Sequence, residues 1–382
     1  MMYRPTDRTG ASRHPVSGVA RGVAVALTVL ALGACSSNDD DNGITDPVDG
    51  MDGSPVGSFA VVANDGTNPG SVVFYAPDLA TMDRTLATGA NEGIAFGPDG
   101  TLYQNGDADS FTGLRAFPDF ASRMDNEGFG DGDSVIGSTP GKGLSYVSAG
   151  DGVLASCDVT DGAVAPLQLF ATDGAMDAAP VATFDLGGAK CWDTFYSEDD
   201  DRLYVAMTDG TLGIFDDFSA EYGDMTDGTD TTTGTDGTDT TDGTDTTDAT
   251  TDMDADGMLD RIVTPVGADG AKLSTNLHGV YVENGTVLVS DVGDAASPTD
   301  GLLFTFTDDG SLDGDVESAS IGGPATMLGN PVDVVLLDGA AIVAEKSNDM
   351  LLVFVDVMTL TDDVMPTYST PFTKPESIEL VP

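Results

Sequence analysis

Apolar and polar residues alternate along this chain in one short pattern that recurs six times. Each copy has a residue of varied chemistry, usually a Gly, and an apolar-x-apolar run, and a second apolar run closes about ten residues later. The copies begin at Glu92, Lys142, Trp192, His278, Val332 and Glu376. Their spacings are 50, 50, 86, 54 and 44 residues, and the long one falls to about 50 without a low-complexity stretch. A fixed period of this size predicts a repeat architecture.

Turn sequences predict that each repeat is a small antiparallel sheet. Pro98-Asp99-Gly100 and Asn284-Gly285 separate a first run from a second, and such sequences join antiparallel strands tightly. A third strand is predicted in most units, for example at 113–117. Four-stranded units repeated around an axis are β-propeller blades.

The two ends of the predicted domain set the number of blades. Residues 58–63 and 71–75 have the pattern of a second and a third strand, whereas residues 376–381 have that of a first strand. We therefore predict an all-β, six-bladed β-propeller over residues 57–382, closed by the C-terminal strand pairing into the first blade. Such closure removes the open edges of a linear array.

The N-terminal 35 residues have the features of an export signal. Four Arg precede an apolar stretch, 23–32, that is too short to span a bilayer. Leu32-Gly33-Ala34-Cys35 resembles a bacterial lipobox, which implies a lipid on Cys35 and a cell-envelope location. Ser36 and Ser37 then favour the outer membrane, on its periplasmic or cell-surface side. An ordinary cleaved signal peptide or a short anchor is the alternative.

Two further segments are too polar to bury a core. Residues 36–56 are mostly Asp, Asn, Gly, Ser and Pro, and residues 224–257 are nearly pure Thr, Asp and Gly. Composition of this kind predicts disorder. We interpret the first as a tether and the second as an insert within the propeller.

The end of the insert resembles the calcium loops of EF-hands, dockerins and thrombospondin type 3 repeats. The resemblance implies ligands at positions 1, 3, 5 and 9 of the loop, with a Gly at position 6. These ligands are Asp252, Asp254, Asp256 and Asp260. Position 12 is Val263 instead of a bidentate Glu, and chance in an Asp-rich chain is the alternative explanation.

The net charge restricts the possible partners. The chain has 14 basic and 65 acidic residues, a formal charge of −51. Residues 1–35 contain four Arg and one Asp, so 10 basic and 64 acidic residues remain after them. This charge excludes nucleic acid and anionic membrane surfaces as partners, which leaves the N-terminal lipid as the membrane contact. The excess indicates a halophilic protein, because a salty medium screens it.

Cysteine positions predict one disulfide. Once Cys35 is assigned to lipid, Cys157 and Cys191 remain in an exported, oxidising context. Strand direction places both at one face of neighbouring blades, where a disulfide would contribute about 3 kcal/mol. Two free buried thiols are the alternative.

Stacking the six copies in register defines a candidate ligand site at one mouth of the central channel. The starting residues of the innermost strands form one column, and residues of the second strands form another: Ala63, Asn105, Ser156, Ala206, Asp291 and Glu345. Loops from all blades converge at such a mouth. The predicted ligand-binding residues are Glu92, Asn105, Lys142, Trp192 and His278.

Four carboxylates of this stack form a predicted metal site. Asp291, Glu345, Glu376 and Glu92 form an arc that faces Lys142 and Trp192. Crowded carboxylates bind a hard cation such as Ca²⁺ or repel one another into raised pKa values. A water-filled mouth with ordinary polar lining is the alternative. His278 is a candidate general base beside Asp291, or else a structural hydrogen-bonding residue.

Residues 92–103 and 331–335 resemble blades of the NHL, SMP-30/gluconolactonase and YVTN-type propellers. The resemblance implies the propeller fold. SMP-30-like lactonases hold one divalent cation with a Glu, an Asn and an Asp, each before a Gly, on different blades. Glu92 matches the first of these ligands. His278 or Lys142 stands where the Asn is expected, and Val332 where the Asp is expected, so the metal triad is not reproduced.

Other catalytic motifs are absent from the sequence. It contains no Gly-x-Ser-x-Gly elbow, no His-Glu-x-x-His and no phosphate-binding Gly-Lys-Ser/Thr loop. The sequence thus predicts a lipid-anchored propeller that binds an unknown small molecule or protein at its channel mouth. A metal-dependent hydrolase of the lactonase kind is the alternative, and whether the protein is an enzyme stays open.

Overall fold

The described part of the chain is a six-bladed β-propeller, which confirms the predicted fold class. The computed structural model describes residues 59–63, 70–76, 79–89, 91–108, 111–123, 125, 127–130, 132–148, 150, 152–160, 166–172, 178–222 and 259–382. All of these residues belong to one compact unit, 51–382.

Blades one to three use the N-terminal half of the described chain. Blade one contains β1 (Phe59–Ala63), β2 (Ser71–Tyr75), β3 (Met82–Ala87) and the late strand β26 (Pro375–Leu380), with β7 (Glu127–Gly128) at its outer edge. Blade two contains β4 (Gly93–Phe96), β5 (Leu102–Ala108), β6 (Phe111–Phe117) and β8 (Ser134–Gly137). Blade three contains β9 (Gly141–Val147), β10 (Val153–Asp158), β11 (Leu167–Ala171) and β12 (Ala182–Phe184).

Blades four to six complete the ring. Blade four contains β13 (Cys191–Ser197), β14 (Arg202–Met207), β15 (Leu212–Phe215) and β16 (Arg261–Val266), with β20 (Gly314–Glu317) at its outer edge. Blade five contains β17 (Leu277–Glu283), β18 (Thr286–Asp291), β19 (Leu302–Thr307) and β21 (Ala319–Gly322). Blade six contains β22 (Pro331–Leu337), β23 (Ala340–Glu345), β24 (Met350–Phe354) and β25 (Tyr368–Pro371).

Helical structure is minor in the described residues. A short helix, α1 (Phe218–Tyr222), follows β15, and 3-10 turns occupy Phe120–Ser122 and Val357–Thr359. Across the described segments, we find no helix with the length and apolar character needed to cross a membrane.

Pairing and packing both close the ring. Strand β26 pairs antiparallel with β1, with Val61 opposite Ile378, as the sequence predicts. Six clusters of buried apolar side chains lie in the described part of the chain, one between each pair of neighbouring blades. The cluster between blades six and one joins Val335 to Val73 and Ile378. Burial of apolar area therefore stabilises the closing interface as it does the other five.

Two blades carry a fifth, parallel strand that the sequence pattern did not predict. β7 comes from the loop between β6 and β8 of blade two, and it pairs with β3 of blade one. β20 comes from the loop between β19 and β21 of blade five, and it pairs with β16 of blade four. Both strands are short and mostly exposed, so they lack the apolar run by which strands are recognised.

Five of the six innermost strands contain a β-bulge within their first few residues. The register shifts near the start of β9, β13, β17, β22 and β26. In β13, for example, Cys191 lies opposite Met207 and Asp193 opposite Ala206, so Trp192 is the extra residue. Since a bulge re-aims the side chain beside it, these shifts decide which residues point toward the channel mouth.

Candidate functional site

Each of the six blades contributes a polar or aromatic side chain to one mouth of the channel. We call this set the charged mouth, and it comprises Glu376 of blade one, Glu92 and Asp107 of blade two, Lys142 of blade three, Trp192 of blade four, His278 of blade five and Lys346 of blade six. Five of these residues were predicted from the repeat. Asp107 and Lys346 were missed because they lie beyond the aligned column.

Two ion pairs, each with a buried glutamate, organise the charged mouth. Lys142 Nζ lies 2.5 Å from Glu92 Oε2 and 3.7 Å from Asp107 Oδ2. Lys346 pairs with Glu376 Oε1. The side chains of Glu92 and Glu376 are only 7% and 4% exposed. Pairs this buried require their partners, because an uncompensated charge here would lose most of its hydration.

Trp192 and His278 form an aromatic stack beside the ion pairs. Their ring centroids lie 3.9 Å apart with an interplanar angle of 20°. Lys142 Nζ lies 4.5 Å from the centroid of the Trp192 ring, within the range of a cation–π contact. The indole thus joins the histidine of blade five to the lysine of blade three.

His278 is a neutral imidazole with unused hydrogen-bonding capacity. Burial, followed by the charges of Lys142 and Lys346, lowers its pKa to about 3. The residue is 5% exposed, and its Nδ1 atom has no hydrogen-bond partner among the described residues. A buried polar atom without a partner is uncommon in folded proteins. Asp291, its predicted neighbour, lies opposite the preceding residue, Leu277, and accepts hydrogen bonds from backbone amides.

The two glutamates of the charged mouth resist ionisation. Burial, and then the neighbouring Glu376, raises the pKa of Glu92 to about 8, although Lys142 opposes the shift. Burial likewise raises the pKa of Glu376, against the attraction of Lys346. Burial lowers the pKa of Lys142, but the charge of Glu92 and its hydrogen bond outweigh burial, so the pKa of Lys142 is raised. The mouth can therefore exchange a proton near neutral pH.

Asn105 joins neighbouring blades beneath the charged mouth. Its Nδ2 donates to the carbonyl oxygen of Gly143 at 2.6 Å and to Ser156 Oγ at 3.0 Å. The side chain is fully buried, and its Oδ1 has no partner among the residues that the structure describes. Asn105 thus acts first as a link between blades two and three.

Asp291 and Glu345 do not lie in the predicted arc. Asn105 pairs with Gly93, which follows the mouth residue Glu92. Asp291 and Glu345 instead pair with Leu277 and Pro331, which precede the mouth residues of their blades. The stack inferred from sequence mixed these registers by one residue: Ala206, in a blade with a similar bulge, pairs with Asp193, which follows Trp192.

Backbone amides of neighbouring loops occupy both of these carboxylates. Asp291 Oδ2 accepts from Asn276 N at 2.8 Å, and its Oδ1 accepts from Gly293 N at 2.7 Å. Glu345 accepts from the amides of Gly329, Asn330, Ser347 and Asn348 at 3.0–3.2 Å. These residues order the loops of their blades.

The predicted calcium ligands therefore do not converge in the described structure. Glu92 and Glu376 interact with each other and with lysines, apart from Asp291 and Glu345. Across the described ranges, no three His, Cys, Asp or Glu side chains form a group that could hold a metal ion. Of the predicted calcium loop, Asp252, Asp254 and Asp256 lie outside the described residues. Asp260 accepts from Asp216 N at 2.8 Å.

Directly below the charged mouth, two carboxyl groups narrow the channel. Asp193 and Asp333 are each 8% exposed and share a hydrogen bond. Asp193 Oδ2 also accepts from Val280 N at 3.1 Å, and Asp333 Oδ2 accepts from Ser377 Oγ at 2.8 Å. Burial raises the pKa of Asp333 to about 6, and burial with the charge of Asp333 raises that of Asp193 further. Burial and mutual repulsion thus both favour the protonated form of this pair.

The pair could have been found in the sequence. Its residues occupy the repeat position where Glu92, Lys142 and His278 are each followed by Gly. A Cβ atom on Gly279 would lie 2.7 Å from Asp333 Cα, so the ring has no space for a side chain there. The space left at this level is about 10 Å³, close to the room of one water molecule. The channel is thus closed in its middle.

The remaining predictions concern the cysteines. Cys35 is outside the described residues. A disulfide joins Cys157, near the end of β10, to Cys191, at the start of β13. Both lie within the apolar cluster of blades three and four.

Comparisons with known proteins agree with the fold. A chain of the nidogen/laminin complex aligns with a TM-score of 0.53 at 10% identity, covering 85% of this chain and 98% of its own. A candidate 6-phosphogluconolactonase from Bacteroides fragilis aligns with a TM-score of 0.48 at 12% identity, covering 85% of this chain and 98% of its own. The periplasmic gluconolactonase of Pseudomonas aeruginosa aligns with a TM-score of 0.40 at 14% identity, covering 85% of this chain and 99% of its own. At 10% identity, the alignment with the nidogen/laminin chain supports the fold alone.

Sequence comparison adds no family. No protein-family description matches the chain, and no curated protein matches its sequence significantly.

Proposed function

We propose that this protein is a binding propeller, held in the cell envelope by a lipid on Cys35, whose charged mouth takes a small polar ligand. One observation carries the proposal: all six blades direct charged or aromatic side chains to this mouth. A purely structural channel end would need only packing and solvated residues. This mouth instead contains two ion pairs and an aromatic stack. It also contains His278 Nδ1, which has no hydrogen-bond partner among the described residues.

The chemistry of the charged mouth favours a ligand with an anionic group and hydroxyls. Lys142 and Lys346 are two of the five lysines of the chain, and both act on His278. A carboxylate can replace Glu92 or Glu376 as partner of a lysine when that glutamate takes up a proton. The raised pKa of Glu92, about 8, makes such an exchange accessible near neutral pH. Ring faces and the free nitrogen of His278 supply contacts for hydroxyl groups.

Trp192 gives a direct test, because it is the single tryptophan of the chain. Titration of residues 57–382 with gluconate should produce a saturable change in tryptophan fluorescence. Lys142→Met should weaken this binding at least tenfold, since it removes the charge that lies over the indole. The exposed carboxylate of Glu317, on outer strand β20, provides the matched control Glu317→Gln, which should bind as the parent does. A parent protein that binds neither gluconate nor related sugar acids would contradict the small-ligand proposal.

A metal-dependent hydrolase of the lactonase kind is the second candidate. It is favoured by the pKa of Glu92 near 8, because a general acid or base works best with a pKa near the working pH. Proton release from D-glucono-1,5-lactone, corrected for spontaneous hydrolysis, tests it in the presence of Ca²⁺ and of a chelator. Calcium-dependent turnover that Glu92→Gln abolishes would favour the enzyme over the binding protein.

The lipid anchor has its own experiment. A Cys35→Ala variant of the full chain should leave the membrane fraction and still contain a folded propeller. Unchanged membrane association of that variant would contradict the anchor.

A further inference from the structure

The opposite mouth of the channel contains a second cavity, separate from the charged mouth. Its volume is about 320 Å³, at the lower end of the range of about 300–1,000 Å³ for small-molecule sites. It is lined by the C-terminal ends of innermost strands and the turns after them. The closed middle of the channel separates it from the charged mouth. We call it the far cavity.

Aromatic rings form much of the wall of the far cavity. Its lining includes Phe96, Tyr146, Phe195 and Tyr196. All four side chains are partly exposed, although each is large and apolar enough to be buried. Phe195 packs against the ring of Tyr281, with ring centroids 4.4 Å apart. The four rings are therefore available to contact a ligand in the far cavity.

Glu379 brings a carboxyl group into the same cavity. It lies on β26 and lines both the far cavity and the narrow space above it. Its Oε1 accepts from Leu380 N at 3.0 Å. No Lys or Arg among the described residues forms an ion pair with it, and the lining of the far cavity includes no Lys, Arg or His. The carboxyl group is thus partly buried without a positive partner.

A neighbouring cavity extends the acidic character of this face. Its volume is about 330 Å³, and it shares Phe195, Tyr196 and Glu198 with the far cavity. It adds the carboxylates of Asp199, Asp200 and Glu283. In a chain of this charge, acidic lining alone would mean little. The combination of aromatic walls with an uncompensated carboxyl group is what distinguishes this site.

We propose that the far cavity binds an organic cation, with an ammonium head group placed against Glu379 and the rings of Tyr146, Phe195 and Tyr196. Aromatic faces attract cations, most strongly where water is excluded. A carboxylate adds the opposite charge, and the acidic rim raises the local concentration of cations. A neutral apolar ligand would contact the aromatic walls but make no ionic interaction with Glu379. An anionic ligand would meet repulsion from every charged residue of the lining.

Choline and 3,3-dimethylbutan-1-ol test the proposal, because they have the same shape and differ in charge. Calorimetric titration of residues 57–382 should show choline binding at least tenfold more tightly than the neutral alcohol. Glu379→Gln and Phe195→Leu should each weaken choline binding at least fivefold and leave the alcohol nearly unchanged. Glu317→Gln removes an exposed carboxylate elsewhere and should leave both affinities as in the parent. Equal affinities for the two compounds, or choline binding that survives Glu379→Gln, would overturn the proposal.

The pH dependence separates Glu379 from general attraction by the acidic surface. Burial, and then the charge of Asp333, raises the pKa of Glu379 to about 8. The other titratable groups that act on or beside it are Asp193, Tyr281 and Glu198. A bound cation favours the ionised carboxylate, so choline affinity should rise from pH 6 to about 8 and then level off. In Glu379→Gln this rise should disappear. A parent affinity that is flat over this range would contradict the assigned role of Glu379.

This site is independent of the proposed function at the charged mouth. Choline should leave the fluorescence of Trp192 unchanged, whereas gluconate should change it. Failure of one titration therefore says nothing against the other.

Discussion

At the residue scale, the hydrogen-bonded carboxyl groups of Asp193 and Asp333 make folding depend on pH. The pKa of Asp333 rises from 3.8 to about 6 in the folded chain. The folded state therefore binds the proton more tightly than the unfolded state does. The resulting stability is complete below the unfolded pKa and is lost as the pH rises through about 6. The larger upward shift of Asp193 extends the loss to higher pH.

Asp333→Asn should therefore stabilise the protein at pH 8. An amide cannot ionise; its oxygen can still accept from Ser377 and Ile378 while its nitrogen donates to Asp193, at the expense of the bond from Val334 N to Oδ1. At about 1.4 kcal/mol per pKa unit, the gain for Asp333 is at most about 3 kcal/mol. Urea unfolding at pH 4, 6 and 8 measures it, and the difference from the parent should shrink toward pH 4. A variant that is less stable than the parent at pH 8 would mean that the ionised form is needed.

The charged mouth shows what the sequence could predict at this scale. The repeat alone aligned Glu92, Lys142, Trp192, His278 and Glu376, because each begins the same predicted strand. It could not predict which glutamate pairs with which lysine, since those contacts cross between blades.

At the element scale, strand register explains where Asp291 and Glu345 lie. Blade four has a bulge like those of blades five and six, yet Ala206 pairs with Asp193, whereas Asp291 and Glu345 stand one residue further along their strands. The sequence pattern therefore defines the strand but leaves its register uncertain by one. That single residue moves a carboxylate from the channel to a loop, where backbone amides bind it.

Strand β26 was predicted correctly because its absence from blade one was visible as a missing first strand. A chain that ends at Lys374 should therefore expose the edge of β1 in the middle of the molecule. It should also lose Ile378 from the cluster that joins blades six and one. We expect aggregation or loss of cooperative thermal unfolding, measured by calorimetry and light scattering.

A deletion elsewhere provides the control for this truncation. Removal of residues 226–250, which are nearly pure Thr, Asp and Gly, should change stability by no more than about 1 kcal/mol, since loop length alone has a small effect. A soluble, cooperatively folding chain ending at Lys374 would show that closure by β26 is dispensable.

At the scale of the whole molecule, several basic residues of the described segments form contacts between blades. Arg261 donates to both Asp216 and Asp308, at 2.6–3.2 Å, in a network that joins blades four and five. Lys142 and Lys346 serve the charged mouth. The chain has 14 basic residues against 65 acidic ones, so the basic residues are too few to pair with most of the carboxylates. Self-repulsion of this charge destabilises a compact state.

Salt should consequently stabilise the protein. The Debye length falls from about 10 Å at 0.1 M to about 3 Å at 1 M, so repulsion between surface carboxylates weakens over that range. The midpoint of thermal unfolding at pH 7.5 should rise steadily between 0.1 and 1 M KCl, those concentrations spanning the change in screening. At pH 4.5 many carboxylates are partly protonated, and the same series should give a smaller rise. This comparison separates screening from general effects of salt on apolar surfaces, because the latter do not depend on carboxylate charge. An unfolding midpoint that is independent of KCl at pH 7.5, or a salt response that is equal at both pH values, would show that the acidic surface does not limit stability.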